Sequence, residues 1–476
     1  MNASNVDPVA AHRLQLLSLL QAQKKSLLDE RFPSADIRVD RLNRLIDVHL
    51  NFKDQIIEAL TEDFNGRSKV QSLVADVVAS VVSFKHTRDH VAQWMKPQKR
   101  KLPLIASLTG GRAEVHYQPL GVVGNISPWN FPVGLAFAPM AEALAAGNRV
   151  MLKPSELTPC ASAVIKQMVE SAFAPEEMVA ITGGVEVAQA FSSLPFDHLV
   201  YTGGPEVAKH VMRAAAENLV PLTLELGGKC PVVVGEGADI AMAAERIMGA
   251  KAINAGQLCL SPDYVFVPRH KMAEFVACAR ANLTKFFPTV LDNDDVTSVV
   301  NERHWQRLNS YVDEAKAQGV RVETHNPNNE SFDDSARHKM PFSLVIDPAD
   351  DLKIMQDEVF GPLIEFDLPI NFINQRERPL ALYYFGKDKA QVARLLKETT
   401  SGGVTVNDVA QHVAFPDLPL GGVGNSGMGA YHGHTGFKRF SHEKAVYKQG
   451  LFSMAKFLQP PFTDKSKKLF EGQLKR

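Results

Sequence analysis

The chain has 476 residues, of which 45% are hydrophobic and 22% charged, and its 52 basic and 53 acidic side chains leave a formal net charge of -1 at pH 7. This length exceeds that of one simple domain, and the balanced charge gives no electrostatic reason to expect nucleic acid or membrane partners. The four cysteines are too few for a disulfide framework and form no CxxC pair, so we expect a reducing, cytoplasmic setting. The N-terminal residues lack the regions of a signal peptide, and no stretch of about 18 apolar residues occurs, which predicts a soluble protein.

Amphipathic helices are predicted over most of the first 94 residues, because apolar side chains recur there at three- and four-residue spacing. The expected ranges are Val9–Arg31, Arg38–Phe64 and Lys69–Trp94. From Lys99 to Gln118, short apolar runs flank the sequence Thr109-Gly110-Gly111-Arg112, which is typical of a β-hairpin. Since this hairpin interrupts a helical layer, we expect it to contact a second subunit.

Short apolar runs alternate with helical stretches from Gly121 to Thr202, and the same pattern returns between Pro231 and about Asp408. This alternation predicts α/β structure with parallel sheets and covering helices. Ligands of such sheets bind at the carboxyl ends of the strands. Asn130, Lys153 and Gly203 each follow a predicted strand and are therefore expected near a ligand.

Cys259 lies between two turn-forming segments, in the sequence GQLCLSPDY. Most cysteines are inert core residues, but this setting is poor core sequence and favours an accessible thiol. A thiol can attack a carbonyl carbon, so Cys259 is predicted to be a nucleophile. Cys160, Cys230 and Cys278 lack such a setting and are interpreted as core or surface residues.

Glu225 stands alone in the apolar, strand-like run Pro221–Gly228. Its desolvation would raise the pKa of the carboxyl towards neutrality, as suits a general base; the alternative is an outward-facing glutamate on a half-buried strand. Asn130 precedes Phe131-Pro132 and can cap a helix that begins near Pro132 or donate its amide to an oxyanion. Both roles place the amide at a strand-to-helix junction, so they are compatible.

Two segments in the first α/β region fit a nucleotide. Lys153 and Glu156 follow an apolar run and can hydrogen-bond ribose hydroxyls, although a helix start capped by Ser155 is the alternative. Gly203 and Gly204 precede a predicted helix that is opened by a proline, and the free amides of such a helix can face a pyrophosphate.

Glu358 and Phe360 place a carboxylate and a ring beside a turn. With a nucleotide nearby, they can grip a ribose and back a flat ring; taken alone, the segment is a helix-to-strand junction. The sequence Gly422-Val423-Gly424-Asn425-Ser426-Gly427 matches the dinucleotide fingerprint, but too little chain follows it for a βαβ unit, so we interpret it as a flexible loop near the mouth of the active site. His432, His434 and His442 have a spacing that matches no metal site, so no metal is predicted.

These segments belong to an ordered series: PWNFP, KPSE, YTGG, LELGGK, GQLCLSPDY, EVFGP and LPLGGVGNSGMGAYHG. In this order they resemble the aldehyde dehydrogenase superfamily, particularly its class-three branch and, within it, bacterial coniferyl aldehyde dehydrogenases. PSADIRVDRLNRL and RPLALYYFG extend the match to nearly the whole chain.

The resemblance implies an α/β fold with a Rossmann-like NAD(P)-binding domain, an α/β catalytic domain and a small β oligomerisation extension. The implied ranges are 1–98 and 119–226 for the NAD(P)-binding domain, 227–412 for the catalytic domain, 99–118 and 413–445 for the oligomerisation segment, and 446–476 for a C-terminal tail. It also implies that Cys259 is the nucleophile, Glu225 the base and Asn130 an oxyanion donor. The residues implied to hold NAD, or NADP, are Ile126, Trp129, Lys153, Glu156, Thr202, Gly203, Gly204, Val207, Glu358 and Phe360.

The activity that the resemblance implies is oxidation of an aldehyde to the carboxylic acid by a homodimer, through a thiohemiacetal and a thioester on Cys259. The expected substrate is an aromatic aldehyde such as coniferyl aldehyde, or a medium-chain aliphatic one, and Glu156 favours NAD without excluding NADP. Two alternatives stay open on the residues alone: a cofactor-free cysteine hydrolase and a non-catalytic binding protein with the same fold.

The chain departs from the family's pattern at three places. Cys230 stands where the family usually has a serine, which puts a second thiol near the Glu225 segment. Leu420 replaces a phenylalanine, which is expected to alter the pocket. The stretch from Leu363 to Phe372 is several residues shorter than usual, which predicts a trimmed peripheral strand or helix.

Overall fold

The computed structural model describes residues 8–332, 337–367, 370–451, 453 and 459–474. The helices of the N-terminal half are α1 (Pro8–Glu30), α2 (Ala35–Asn51), α3 (Lys53–Asp63), α4 (Lys69–Ser72), α5 (Ala79–Trp94), α6 (Leu104–Leu108), α7 (Pro132–Ala145), α8 (Pro159–Ala172), α9 (Val185–Ser192) and α10 (Pro205–Ala216). The later helices are α11 (Ile240–Ala252), α12 (Met272–Phe286), α13 (Glu302–Ala317), α14 (Lys353–Gln356), α15 (Ile370–Gln375), α16 (Lys389–Glu398), α17 (Gly433–Arg439) and α18 (Asp464–Gln473).

The first eight strands are β1 (Gln98–Arg100), β2 (Arg112–Pro119), β3 (Val122–Ile126), β4 (Arg149–Lys153), β5 (Met178–Ala180), β6 (His198–Thr202), β7 (Leu222–Glu225) and β8 (Cys230–Val234). The others are β9 (Pro262–Phe266), β10 (Arg321–Thr324), β11 (Ser343–Ile346), β12 (Leu363–Asp367), β13 (Ala381–Phe385), β14 (Gly403–Val406), β15 (Gly427–Met428) and β16 (Ser441–Lys448).

The N-terminal helices follow the predicted pattern with one correction. α1 agrees with the first predicted helix, and α4 and α5 are joined by a π-helical turn into one element that agrees with the third. The prediction of a single helix over Arg38–Phe64 is wrong, because the chain breaks at Phe52 (φ -99°, ψ 5°) and continues as α3. Apolar residues on both sides of the break are buried in the same core, so their spacing alone did not reveal it.

Two α/β sheets form the main body of the fold, as predicted. One has six strands in the order β15-β7-β6-β3-β4-β5, and all of its pairs are parallel except β15 with β7. The other has seven strands in the order β10-β11-β12-β9-β8-β13-β14, parallel except for β10 with β11. Strands β3, β4 and β6 are buried on nearly every residue, as expected where helices cover both faces of a parallel sheet.

The predicted hairpin exists, but its turn is different. β1 pairs antiparallel with β2, and residues 101–111 between them contain the short helix α6 instead of a tight turn at Thr109–Arg112. The two glycines end this helix: Gly110 has φ 88°, and the N–H of Gly111 bonds the carbonyl of Ala106 at 2.8 Å. β16 joins the other edge of β2 and completes a three-stranded sheet.

The domain boundaries stay a prediction. One observation bears on them: β15, from the range assigned to oligomerisation, pairs with β7 of the six-stranded sheet. The segment after Pro362, predicted to be trimmed, still contains both β12 and α15, and residues 368–369 between them lie outside the described ranges. In the part of the chain that is described, no helix is long and apolar enough to cross a membrane.

Candidate active site

A cavity of about 340 Å³ lies at the carboxyl edge of the six-stranded sheet, where β6 and β7 end. The three predicted catalytic residues, Cys259, Glu225 and Asn130, all line it. Six of the predicted cofactor residues line it too: Trp129, Thr202, Gly203, Gly204, Glu358 and Phe360. The structure therefore collects residues from widely separated parts of the chain in one place, as the rule for ligand sites in parallel sheets predicts.

The segment before Cys259 is held in a fixed conformation by side-chain amides. Asn254 and Ala255 adopt left-handed φ angles of 50° and 51° at the end of α11. The Gln257 side chain donates to the carbonyls of Asn254 and Ser298, at 3.0 Å each, and accepts the N–H of Val300 at 3.0 Å. Both N–H donors of this amide group and one lone pair of its oxygen are therefore used, so the turn that carries the thiol is held rigidly.

The Cys259 side chain is half-buried at the cavity wall. Burial, together with the negative charges of Glu225 and Glu358, raises the pKa of the Cys259 thiol well above its usual value. The thiol is therefore protonated at neutral pH, and a base or a positive charge must assist its ionisation before it attacks a carbonyl.

Asn130 is positioned by a buried ion pair. Arg67 bonds the Asn130 carbonyl at 3.0 Å and the Asp76 carboxylate at 2.9 Å, and Asp76 also accepts the N–H groups of Val133 and Gly134 at the start of α7. The interpretation of Asn130 as a helix cap is wrong, because Asp76 caps α7 from another part of the chain. The Asn130 amide Nδ2 instead donates to the Gln257 carbonyl at 3.2 Å, which leaves its second N–H for a ligand.

Replacing Asp76 by alanine is expected to lower the free energy of unfolding by about 3–5 kcal/mol, because it leaves the buried Arg67 guanidinium without its counterion. Urea denaturation followed by far-UV circular dichroism measures the change. Asp89→Ala, which removes an exposed partner of Arg88, is the matched control and should change the midpoint little. Equal midpoints for the two variants would contradict the role given to the buried pair.

Glu225 is the last residue of β7 and is buried at the cavity, and neither oxygen of its carboxyl has a hydrogen-bond partner among the described residues. Burial raises the pKa of this carboxyl to about 8. The backbone of Glu225 pairs with Thr202 in β6 on one side and with Gly427 in β15 on the other. A carboxyl with unused oxygens, a near-neutral pKa and a fixed backbone has the properties of a general base.

Glu358 and Phe360 also line the cavity. Burial raises the pKa of the Glu358 carboxyl to about 8, and its Oε1 has no partner among the described residues. The carboxyl packs against the backbone of Gly227, where a Cβ atom would overlap it. Phe360 has a left-handed φ of 46°, and its ring meets that of Trp129 edge-to-face at 5.3 Å.

One face of α13 forms a wall of the cavity, and the sequence did not predict this wall. His304, Arg307 and Tyr311 line it at a helical spacing of three and four residues. Arg307 donates to the Val359 carbonyl at 2.9 Å, and the Tyr311 hydroxyl donates to the Asp357 carboxylate at 2.8 Å. Polar residues at this spacing on an amphipathic helix were the available signal, but they are also typical of a solvated face.

A second cavity, of about 460 Å³, lies where β4 and β5 end, and Glu156 and Gly183 line it. The Lys153 ammonium, buried beside it, bonds the Glu156 carboxylate at 3.2 Å and the Pro154 carbonyl at 2.8 Å. Ser155 does not cap α8; its hydroxyl accepts the N–H of Leu157 within the preceding turn.

The ends of β3 and β6 place the other predicted cofactor residues. Gly204 precedes α10, and no side chain of the described ranges caps this helix, so its first amides are free for a ligand. The Thr202 hydroxyl is buried without a partner among the described residues. Ile126 ends β3 and Val207 lies exposed in the first turn of α10, and neither lines one of these two cavities.

The Gly422–Gly427 segment forms a tight turn against the strand of Glu225: Gly424 bridges to Gly427, and the N–H of Leu226 bonds the Ser426 carbonyl at 3.0 Å. Nearby, the backbone N–H of His432 bonds the buried Glu142 carboxyl at 3.0 Å, and burial lowers the pKa of the His432 ring to about 4. The residues described contain no group of three or more His, Cys, Asp or Glu side chains arranged to hold a metal ion.

The departures from the family's pattern have local structural roles. Cys230 is fully buried, and its thiol lies 3.3 Å from the Cys259 carbonyl oxygen. Leu420 pairs through its backbone with Tyr431 and does not line the cavity, so the expectation that it alters the pocket is not supported.

The Aldehyde dehydrogenase family matches residues 25–446 of the chain. The chain belongs to this family. The resemblance read from the ordered motifs is thereby confirmed, and the chain is an NAD(P)-dependent aldehyde dehydrogenase that oxidises an aldehyde to the acid.

Several curated relatives are similar along almost their whole length. The chain is 50% identical to a probable coniferyl aldehyde dehydrogenase of Caulobacter vibrioides, with 98% of each chain covered. It is 47% identical to a coniferyl aldehyde dehydrogenase of a Pseudomonas species, over 94% of this dehydrogenase and 92% of the relative.

Solved structures of aldehyde dehydrogenases share the fold. The substrate-bound state of Staphylococcus aureus AldH superposes with a TM-score of 0.90 at 32% identity, covering 97% of this chain and 99% of that one. An aldehyde dehydrogenase of Mycobacterium tuberculosis complexed with NAD+ gives a TM-score of 0.80 at 25% identity, covering 91% and 90%.

Proposed function

We propose that this dehydrogenase oxidises coniferyl aldehyde, or a closely similar aromatic aldehyde, to its carboxylic acid, with Cys259 as nucleophile and Glu225 as base. The observation that carries the proposal is the convergence of Cys259, Asn130 and Glu225 on one cavity in a chain that is 50% and 47% identical to relatives named for coniferyl aldehyde. The Trp129 ring lies 5.3 Å from the rings of both His304 and Phe360, so this wall of the cavity offers flat apolar surface to an aromatic ring, whether that of the nicotinamide or that of an aromatic aldehyde.

In the first half-reaction, the Cys259 sulfur forms a bond to the aldehyde carbon and the thiol proton leaves to a base, which gives a thiohemiacetal. The Asn130 amide and the backbone N–H of Cys259 stabilise the oxyanion. A bound NAD(P) would supply the hydride acceptor, so that loss of hydride from the carbon leaves a thioester on Cys259.

In the second half-reaction, Glu225 takes a proton from water, and the resulting hydroxide adds to the thioester carbon. The carbon–sulfur bond then breaks, so the carboxylic acid leaves and Cys259 is regenerated. A carboxyl whose pKa lies near 8 is matched to this task, because it is a stronger base than an exposed glutamate and about a tenth of it is ionised at pH 7.

The residues around the cavities fit a nicotinamide nucleotide. Among the described residues, a buried oxygen of Glu358 has no partner, as a ribose hydroxyl requires, and no side chain caps the start of α10, which suits a pyrophosphate. Lys153 and Glu156 form an ion pair beside the second cavity, where they would hold the second ribose. The Glu156 carboxylate would repel a 2'-phosphate, so we propose that NAD is preferred over NADP.

Two further properties belong to the proposal. In the described part of the chain, no strand pairs with the outer edge of the eight-residue strand β16, which supports a homodimer formed at this sheet. All four cysteines are free thiols, which supports the cytoplasm as the location.

A steady-state panel tests the proposed substrate and nucleotide. Coniferyl aldehyde, benzaldehyde and aliphatic aldehydes of three to ten carbons are each supplied with NAD and with NADP, and absorbance at the reduced nicotinamide band is followed. We expect the highest kcat/KM for coniferyl aldehyde with NAD. A higher value for every aliphatic aldehyde would contradict the proposed substrate, and ester hydrolysis without any nucleotide reduction would indicate the hydrolase alternative.

A further inference from the structure

Four charged side chains are buried together behind the cavity: Lys229, Lys251, Asp263 and Glu365. The Lys229 ammonium lies 3.0 Å from a Glu365 oxygen and 4.0 Å from an Asp263 oxygen, and the Lys251 ammonium lies 3.3 Å from the other Asp263 oxygen. Their side chains are at most 8% exposed. Two cations and two anions balance, which is the condition under which buried charges are tolerated.

All three N–H donors of the Lys229 ammonium form hydrogen bonds to nearby groups. Besides Glu365, its ammonium donates to the carbonyl of Ile354 at 2.7 Å and to that of Asp357 at 3.0 Å. Asp357 immediately precedes Glu358, so the lysine holds the backbone on the N-terminal side of the proposed ribose ligand.

Asp263 holds the other side of the same residue. Its carboxylate accepts the N–H of Val359 at 3.0 Å, while Lys251 bonds its other oxygen and also the Pro262 carbonyl. Glu358 is thus bracketed by two buried contacts that belong to one ionic cluster.

The cluster is built from residues next to the proposed catalytic groups. Lys229 lies four residues after Glu225, and Asp263 lies four residues after Cys259. The contacts therefore join the segment of the base, the segment of the nucleophile and the segment of Glu358 at one point.

We propose that Lys229 is a positioning residue that fixes the Asp357–Val359 backbone, so that Glu358 is preorganised to bind the nicotinamide nucleotide. The proposal rests on the role proposed above for Glu358. Without the lysine, the segment loses two backbone anchors and the Glu358 carboxyl samples other positions, so nucleotide binding has to restore the order. Attack by Cys259 on an ester needs no nucleotide and should therefore be affected much less.

The test uses a variant that keeps the buried charge balanced. Lys229→Met alone removes one cation and leaves an excess of negative charge, which endangers folding. Lys229→Met combined with Glu365→Gln removes one charge of each sign. Lys339→Met is the matched control, because this buried lysine also donates to two loop carbonyls, those of Leu291 and Asn293, which lie outside the Asp357–Val359 segment.

Three measurements are made on each full-length variant: the NAD dissociation constant by calorimetry, nucleotide-free hydrolysis of p-nitrophenyl acetate, and hydrogen exchange of the peptide covering residues 353–362. For the balanced double variant we expect about a tenfold to hundredfold weaker NAD binding, as misplacement of a binding group produces. Ester hydrolysis should stay within about threefold, and the 353–362 amides should exchange faster. The control should change none of the three.

An NAD dissociation constant within about twofold of the parent, in a variant that still hydrolyses the ester, would overturn the proposal. Equal acceleration of exchange throughout the chain would also overturn it, because it would mean general destabilisation. Glu358→Gln shows which of the two proposals has failed. If Glu358→Gln binds NAD as tightly as the parent, the role given to Glu358 itself is wrong. If Glu358→Gln binds NAD weakly while the balanced double variant binds it normally, only the role given to Lys229 is wrong.

Discussion

Replacing Cys259 by alanine should abolish aldehyde oxidation, with a loss of at least about 10⁴-fold in kcat, because the covalent thiohemiacetal cannot form. Nucleotide binding should persist, since the proposed cofactor residues that line the cavity are unchanged in this variant. Stopped-flow measurement of nicotinamide reduction, combined with calorimetry for NAD, gives both quantities. Nucleotide-free ester hydrolysis by the same thiol should disappear in parallel.

Cys278→Ala is the matched control, because Cys278 is a free, half-buried thiol on α12 and does not line the cavity. It should retain the parent's activity. Measurable turnover in Cys259→Ala, or an equal loss in both variants, would contradict the assignment of the nucleophile.

Glu225→Gln is expected to separate the two half-reactions. The first turnover should still reduce about one nucleotide per active site, whereas steady-state turnover should fall by about 10²–10⁴-fold because no base activates the hydrolytic water. A burst of nucleotide reduction followed by a slow phase is the signature, and mass spectrometry of the quenched protein should find the acyl group on Cys259.

The pH dependence gives a second measure of the same role. Glu225 acts as a base only when ionised, and its pKa is about 8, so the parent's deacylation rate should rise with pH through about 8, where half of the carboxyl is ionised, and level off above about 9. The glutamine variant should lack this rise. Glu142→Gln is the control, because the pKa of this buried carboxyl is also raised to about 8 but it bonds the backbone of His432 and Gly433 outside the cavity. A pH rise retained in Glu225→Gln and lost in Glu142→Gln would reverse the assignment.

The parts of the site that the sequence predicted are those with a local signature. Cys259 lies in turn sequence, Glu225 interrupts an apolar strand and Gly203 follows another, and each of these patterns depends only on near neighbours in the chain. Because parallel strands end at one edge of a sheet, the prediction of alternating strands and helices was enough to expect these residues close together.

The parts that the sequence did not predict depend on pairs that are distant in the chain. The contact of Arg67 with the Asn130 carbonyl spans 63 residues, and that of Lys229 with the Asp357 carbonyl spans 128. Neither residue has a neighbour in sequence that marks it as buried, and lysine and arginine are mostly exposed. The prediction of a tight hairpin turn at Thr109–Arg112 failed for a related reason. A pair of glycines such as Gly110-Gly111 ends a helix as readily as it forms a hairpin turn, and the neighbouring sequence does not distinguish the two.

The pairing of β15 with β7 has a consequence for synthesis of the protein on the ribosome. Gly427 pairs with Glu225, although about two hundred residues separate them in the chain. Folding proceeds from the N-terminus as the chain emerges, so the thiol of Cys259 is made well before the strand that completes the surroundings of the base. The backbone beside Glu225 therefore gains its second strand neighbour only after about two hundred further residues have been synthesised.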